Sequence, residues 1–345
     1  MNKNQKRSAL LLINLGTPDA PTITSVGRYL AEFLNDKYVI NIPWLFRKLL
    51  VNLIIIPFRV KNSTRLYRQL WTPEGSPLSV YMERLKQKLQ AKLEPKVTVF
   101  SAMRYRNPSI GSVLAQIKAQ GFEQVIILPL YPQFADSTST STLEEVKRIV
   151  KRWNNAPDIQ YIAQFHDHRG YIDTYAEKIQ SYNPDRYDFI LFSYHGLPNN
   201  HIDKGHAKAN IETCDCKNGT PEHCQKCYLA ACYNTTNLLA DRLNLSTDRY
   251  TISFQSRLSK DWLEPFSDKT LIDLAKKGHK RVLVVAPAFV ADCLETIIEI
   301  GIEYKKLFIA NGGQELTLVE SLNADDNWVS GIQEIIAPQL LTSNF

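Results

Sequence analysis

Residues 281–305 read RVLVVAPAFVADCLETIIEIGIEYK, and the order of chemistry in this stretch decides the fold. Val282 to Ala286 form a continuous run of apolar, mostly branched residues, the pattern of a strand covered on both faces. Pro287 ends the strand, Ala288-Phe289-Val290 make a short loop, and Asp292 stands where a residue would cap a new helix. Glu295, Glu299 and Glu303 follow at four-residue spacing, which lines the carboxylates along one helical face. No basic residue lies between them. An acidic run is ordinarily a solvated face. This one starts just beyond the carboxyl end of a buried strand, where open α/β sheets place their ligands.

Working outward, strand signals recur with amphipathic helical segments between them. Residues 8–14, 97–103, 124–131 and 159–165 make a first set of strands, and residues 187–194, 249–254, 281–286 and 315–320 a second. Segments 79–93, 109–120, 141–152, 171–180, 228–243 and 268–277 carry the helical period. Two successive β-α-β-α runs predict an α/β protein of two Rossmann-like, doubly wound domains, each a four-stranded parallel sheet flanked by helices. The expected boundaries are 1–183 and 184–325, with a helical tail at 326–345 that crosses back to the first domain. No G-x-G-x-x-G follows any strand, so a dinucleotide site has no support.

The chain has 345 residues, enough for two such domains, with 44% hydrophobic and 22% charged residues and a formal net charge of +6. That charge is spread along the sequence without a basic helix or an aromatic ladder, so nucleic acid is not an expected partner. The basic and then apolar start, MNKNQKRSALLLINLGTPD, reads as a first strand and not as a signal peptide, which points to the cytoplasm. Residues 40–60, INIPWLFRKLLVNLIIIPFRV, are the most apolar stretch but are too short and too interrupted to span a bilayer. They read either as a core helix or as an exposed apolar lip with basic flanks. A lip would sit in the membrane interface or accept a greasy planar ligand.

Two further constellations carry chemistry. Phe192-Ser193-Tyr194-His195-Gly196-Leu197-Pro198 again puts a polar side chain at the end of a buried strand, with Gly and Pro forcing a turn behind His195. Cys214-x-Cys216 and Cys224-x-x-Cys227 bring two close pairs of soft ligands into one polar loop, with Cys232, His206 and His223 nearby. That spacing suits a structural zinc or a [2Fe–2S] cluster, and the single-residue spacer in the first pair favours the cluster. No ligand position is left open, so the centre would be noncatalytic.

Together these stretches resemble the ferrochelatase family, over nearly the whole chain and most like its bacterial protoporphyrin type. The resemblance is carried by LLINLGTPDAP (11–21), RYLAEFLND (28–36), LWTPEGSPL (70–78), SAMRYRNPSI (101–110), LPLYPQFADSTSTST (128–142), FSYHGLP (192–198), SFQSRLSKDWLEPF (253–266) and PAFVADCLETIIEIGIEY (287–304). It implies insertion of Fe²⁺ into protoporphyrin IX in a cleft between two domains, with release of two protons. It also implies roles for single residues. His195 and a partnered Glu295 would act on protons and ferrous iron, with Asp292, Glu299 and Glu303 as an acidic relay. Leu15, Tyr131, Trp262 and Phe289 would contact the macrocycle, and Arg104 and Ser253 its propionates. Cys293 stands where some relatives carry a second histidine, and residues 207–227 look like an insertion. Two other classes share parts of this pattern, a chelatase for an earlier tetrapyrrole and a noncatalytic metal or porphyrin binder.

Overall fold

A computed structural model describes residues 7–203, 211–213, 215–218 and 224–341. Its eight named strands form two four-stranded sheets in which every pairing is parallel. The first contains β1 (Ser8–Asn14), β2 (Val97–Met103), β3 (Gln124–Pro129) and β4 (Asp158–Tyr161) in the order β2-β1-β3-β4. The second contains β5 (Phe189–His195), β6 (Tyr250–Gln255), β7 (Arg281–Val285) and β8 (Glu315–Leu318) in the order β6-β5-β7-β8. Each central strand is an apolar run because both of its faces are covered. Ala9 to Ile13 and Val282 to Val285 are completely shielded from solvent, as doubly wound sheets require.

The helices, in chain order, are α1 (Ile23–Leu34), α2 (Trp44–Leu49), α3 (Ile56–Leu70), α4 (Pro77–Leu93), α5 (Ile110–Gln120), α6 (Ser141–Val150), α7 (Arg169–Gln180), α8 (Asn199–Asp203), α9 (Tyr228–Arg242), α10 (Ser267–Lys276), α11 (Lys305–Ala310) and α12 (Asp326–Leu341). Local chemistry sets their ends. Ser109 Oγ accepts the Ser112 N–H at 3.1 Å to open α5, and Gly121, at φ +65°, closes it. Three π-helical stretches interrupt the pattern among the described residues, Leu50–Ile55 between α2 and α3, Asp136–Thr140 leading into α6 and Leu294–Tyr304 leading into α11.

The chain divides into two compact units, one formed by the described residues of 1–131, 136–164 and 324–345, the other by 132–135 and 165–323. The sequence boundary at 183 therefore falls one helix late. Helix α7 packs within the second unit because its aromatic face is tied there. Tyr171 donates its hydroxyl to the Pro287 carbonyl at 2.6 Å, and Tyr175 reaches the Ala286 and Phe289 carbonyls at 3.1 and 3.2 Å. Helix α12 packs within the first unit, burying Trp328, Ile332 and Ile336. Lys88 donates to the Ala324 carbonyl at 2.8 Å and Gln124 to the Gln339 carbonyl at 2.8 Å.

From α2 through the first π-helical stretch into α3, Trp44, Leu45, Phe46, Leu49, Leu53, Ile54 and Phe58 are all exposed, whereas Val51 and Arg47 are buried. The segment is therefore not a core helix. Among the described residues no helix is long and apolar enough to cross a membrane.

The carboxyl edge of the first sheet depends on one glycine. Gly16 follows β1 at φ +111°, and a Cβ built there would lie 2.0 Å from the Tyr105 carbonyl oxygen. The neighbouring backbone is pinned, since Tyr105 N–H donates to the Leu15 carbonyl at 2.9 Å. Gly16→Ala therefore combines a left-handed backbone with a backbone clash, and should cost about 1–3 kcal/mol. A lowered thermal midpoint checks this, and an unchanged one would contradict it.

Candidate active site

His195 is the last residue of β5, half-buried between the rings of Trp262 and Phe289, whose centroids lie 6.4 and 6.3 Å from its own. Its Nδ1 is 2.6 Å from the Gly196 carbonyl oxygen. A carbonyl can only accept, so Nδ1 carries the proton and Nε2 of the neutral ring keeps its lone pair. The backbone, and not a carboxylate, thus holds the tautomer. The turn is locked from several sides. Tyr228 donates its hydroxyl to the His195 carbonyl at 2.9 Å, Gly196 N–H bonds the Gln255 carbonyl at 2.8 Å, and Leu263 N–H bonds the Leu197 carbonyl at 2.9 Å. At Gly196 a Cβ would meet the Gln255 carbonyl oxygen at 2.8 Å, which explains why the residue after the histidine has no side chain.

The acidic stretch differs from its sequence reading in two ways. It is a π-helix over eleven residues, not an α-helix. An i→i+5 ladder has a wider turn than the α-helix, so residues four and five apart both stay near one face. The cap is also displaced by one position. Cys293, not Asp292, is the N-cap, exchanging bonds with Thr296. Asp292 is 4% exposed and accepts from Asn323 Nδ2 at 2.7 Å, Thr296 Oγ1 at 3.1 Å and the Ser321 N–H at 3.2 Å. It fastens the helix start to the segment after β8. Burial, with the nearby Glu295 carboxylate, pushes the Cys293 thiol well up, so this position carries a neutral thiol.

Along the π-helix, Glu295 and Glu299 are half-buried and Glu303 is exposed. Glu299 accepts from Ser256 N–H at 2.8 Å, from Ser256 Oγ, from Tyr304 Oη at 2.8 Å and from Gln255 Nε2 at 3.4 Å. None of these donors is charged. Burial raises the Glu299 carboxyl, its four donors notwithstanding; the Glu295 charge adds to the rise and His195 opposes it. All three groups thus share one electrostatic neighbourhood. Sequence reading missed Ser256, Gln255 and Tyr304. Ser256 has φ +62°, a conformation that aims both its N–H and its hydroxyl at one carboxylate, and Tyr304 sits five residues after Glu299, the repeat of the π ladder.

The remaining expected contacts divide. Phe289, in the loop after β7, and Trp262 stay half-exposed beside His195. Ser253 is wholly buried, its hydroxyl 2.8 Å from Ser267 Oγ, which in turn meets Ser193 Oγ at 2.8 Å. It cannot hold a propionate from there. In the first unit, Leu15 is half-buried after β1 and Tyr131 is 8% exposed after β3. Arg104 is already paired, with Asp36 at 2.6 Å and Ser141 Oγ at 2.8 Å, so its charge is matched without a propionate.

In the cysteine loop, Cys216, Cys224 and Cys227 are buried, and the sulfurs of Cys216 and Cys227 lie 3.6 Å apart. Cys214, His206 and His223 lie outside the described residues. Among the described residues no group of three or more His, Cys, Asp or Glu side chains is arranged to hold a metal ion.

The family model for ferrochelatase matches residues 7–340. The chain belongs to the ferrochelatase family. A ferrochelatase of Coxiella burnetii (strain Dugway 5J108-111) is 42% identical over 343 residues, covering 98% of this chain and 95% of that one. One of Pseudomonas fluorescens (strain Pf0-1) is 42% identical over 329 residues, covering 94% and 96%. Among solved structures, SirB from Bacillus subtilis with Fe3+ superposes with a TM-score of 0.55 at 12% identity, covering 98% of this chain and 97% of that chain; this likeness concerns the fold. The protein is thus a lyase-class metal chelatase that uses Fe²⁺ as a substrate and inserts it into protoporphyrin in haem biosynthesis. A chelatase for an earlier tetrapyrrole and a noncatalytic binder are set aside.

The raised Glu299 carboxyl has a consequence for stability. The native state holds this proton more tightly than the unfolded chain does, so Glu299 lowers stability as pH climbs from the ordinary value near 4.5 through the raised one. Glu299→Gln should flatten the dependence of the thermal midpoint on pH across that interval. An unaltered profile would mean that Glu299 titrates normally.

Proposed function

We propose that His195 accepts the pyrrole protons through Nε2, and that His195 with Glu295 contacts the incoming ferrous ion. Metallation releases two protons and requires the iron to shed water while the pyrrole nitrogens turn their lone pairs toward it. The observation that carries this reading is the 2.6 Å bond from Nδ1 to the Gly196 carbonyl. It commits the ring to a tautomer whose free nitrogen can both accept a proton and donate to a metal. An incomplete donor set of one imidazole and one carboxylate suits a metal that must be released into the macrocycle. Glu299, whose carboxyl burial raises above its ordinary value, and Glu303, in solvent, extend the path by which protons leave. Asp292 anchors the start of that path. Trp262 and Phe289 press on the macrocycle and favour a ruckled ring, which exposes nitrogen lone pairs and so works toward the transition state. Leu15 and Tyr131 supply further apolar surface.

Removing the imidazole in His195→Ala, or the charge in Glu295→Gln, should each lower kcat by about 10²–10⁴-fold. Anaerobic loss of porphyrin fluorescence on addition of Fe²⁺ measures this. Wild-type turnover in both variants would refute the assignment.

Two further properties belong to the same reading. The exposed apolar residues of 44–58 dock on a membrane interface, as an apolar helical face flanked by lysine and arginine does, making the protein membrane-associated. The cysteine loop holds a structural or regulatory centre, a [2Fe–2S] cluster or zinc, on Cys214, Cys216, Cys224 and Cys227. The pair at 3.6 Å supports this, being close to the edge of a thiolate tetrahedron built on bonds of about 2.3 Å. Such a centre would clamp the loop onto the start of α9, where Cys227 is the N-cap. Protein purified anaerobically should be red-brown if the cluster is present, or colourless with one zinc per chain. Protein with neither metal would rule out the centre.

A further inference from the structure

In the first unit a pocket of about 590 Å³ opens beside the apolar helical segment, lined by Asn35, Lys37, Arg47, Lys48, Asn52 and Arg104 among others. Its charges do not balance internally. Arg104 is matched by Asp36, and Glu32 by Arg106 at 2.6 Å. Lys37, Arg47 and Lys48 have no ion pair among the described residues, and no carboxylate in the wall is left to serve them.

Arg47 is the unusual member. It is 7% exposed, uses Nη1 on the Ile42 and Ile40 carbonyls at 2.9 and 3.3 Å, and leaves its Nε–H with no partner. A buried guanidinium without an anion is costly unless an anion is supplied. In the same wall, Asn35 donates to the Ala31 carbonyl and to Asn52 Oδ1, yet its own Oδ1 is buried and unbonded. The pocket therefore lacks one anion and one hydrogen-bond donor. The residues exposed next to it in sequence, Trp44, Leu45, Phe46, Leu49 and Leu53, are apolar.

We propose that this pocket binds the phosphate of an anionic lipid headgroup, with Arg47 and Lys48 on the phosphate and Asn35 on a headgroup hydroxyl, while the acyl chains lie along the exposed apolar face. A phosphodiester with a terminal hydroxyl supplies both missing partners at once. The proposal rests on the membrane docking inferred above and gives that docking a chemical preference.

Sedimentation with vesicles of phosphatidylcholine, with and without phosphatidylglycerol, tests it on the whole chain. Wild type should bind the phosphatidylglycerol vesicles more tightly. Arg47→Gln and Lys48→Ala should each lose about fivefold on those vesicles and nothing on phosphatidylcholine alone. Phe58→Ser should lose binding to both. Lys61→Ala, a cation of α3 outside the pocket wall, should keep the gain. Lys48 is exposed, so its variant keeps the test open should Arg47→Gln not fold. Equal losses for Lys61→Ala and Lys48→Ala, or none for Arg47→Gln, would reduce the effect to diffuse attraction and overturn the pocket while membrane docking stands. Binding to neither vesicle would overturn both. A thermal shift of wild type but not Arg47→Gln with free glycerol phosphate, without any gain on vesicles, would assign the pocket to a soluble phosphate and overturn the lipid.

Discussion

A histidine whose Nδ1–H is spent on a backbone carbonyl can offer its environment only Nε2. That constraint on His195 organises the second unit. It needs the Gly196 carbonyl to point back at the ring, which needs a turn immediately after β5, which needs a glycine where a Cβ would meet the Gln255 carbonyl of β6. The Tyr228 hydroxyl on the His195 carbonyl and the stitch between Leu197 and Leu263 hold the turn from either side. Fixing the ring through the main chain means that no carboxylate is spent on Nδ1–H. Had Glu295 been the tautomer's anchor, it would have been less available to a metal.

The acidic helix works under a different constraint. Glutamates four residues apart with no intervening cation repel one another, and burying any of them adds desolvation. The structure meets this with neutral donors around Glu299 and with solvent at Glu303. A cation beside Glu299 would have fixed it as an anion. Hydroxyls, an amide and a backbone N–H solvate it without a countercharge. The π-helical winding brings Tyr304 onto the same carboxylate, which an α-helix would direct elsewhere.

Much of the fold was legible because doubly wound sheets write themselves as apolar runs separated by amphipathic ones. Strand ends were placed within a few residues, and the two strand sets match the two sheets. The boundary at 183 failed because α7 is amphipathic like its neighbours, and nothing local says which sheet its tyrosines will reach; hydroxyl bonds more than a hundred residues away decide that. His195 and the glutamates were visible as polar residues at strand ends. Ser253 misled for a related reason. A serine in a strand beside a recognised motif looks available, and only burial against Ser267 reveals that its hydroxyl is spent. Left-handed Ser256 and the π winding leave no periodic trace. The motif SFQSR was visible, but its reason was not.

The segment at 40–60 shows how one composition serves two demands. Apolar residues there exceed what the first unit buries, and seven of the large ones are left in solvent. Among them Arg47 is buried, and its guanidinium bonds the carbonyls of the preceding loop. The arginine thus does two things at once. It caps the loop that begins the segment, and it takes a buried position on a helix whose apolar neighbours are exposed. An apolar residue at 47 would remove the guanidinium from the pocket beside that face. That the two features share a residue makes them parts of one surface.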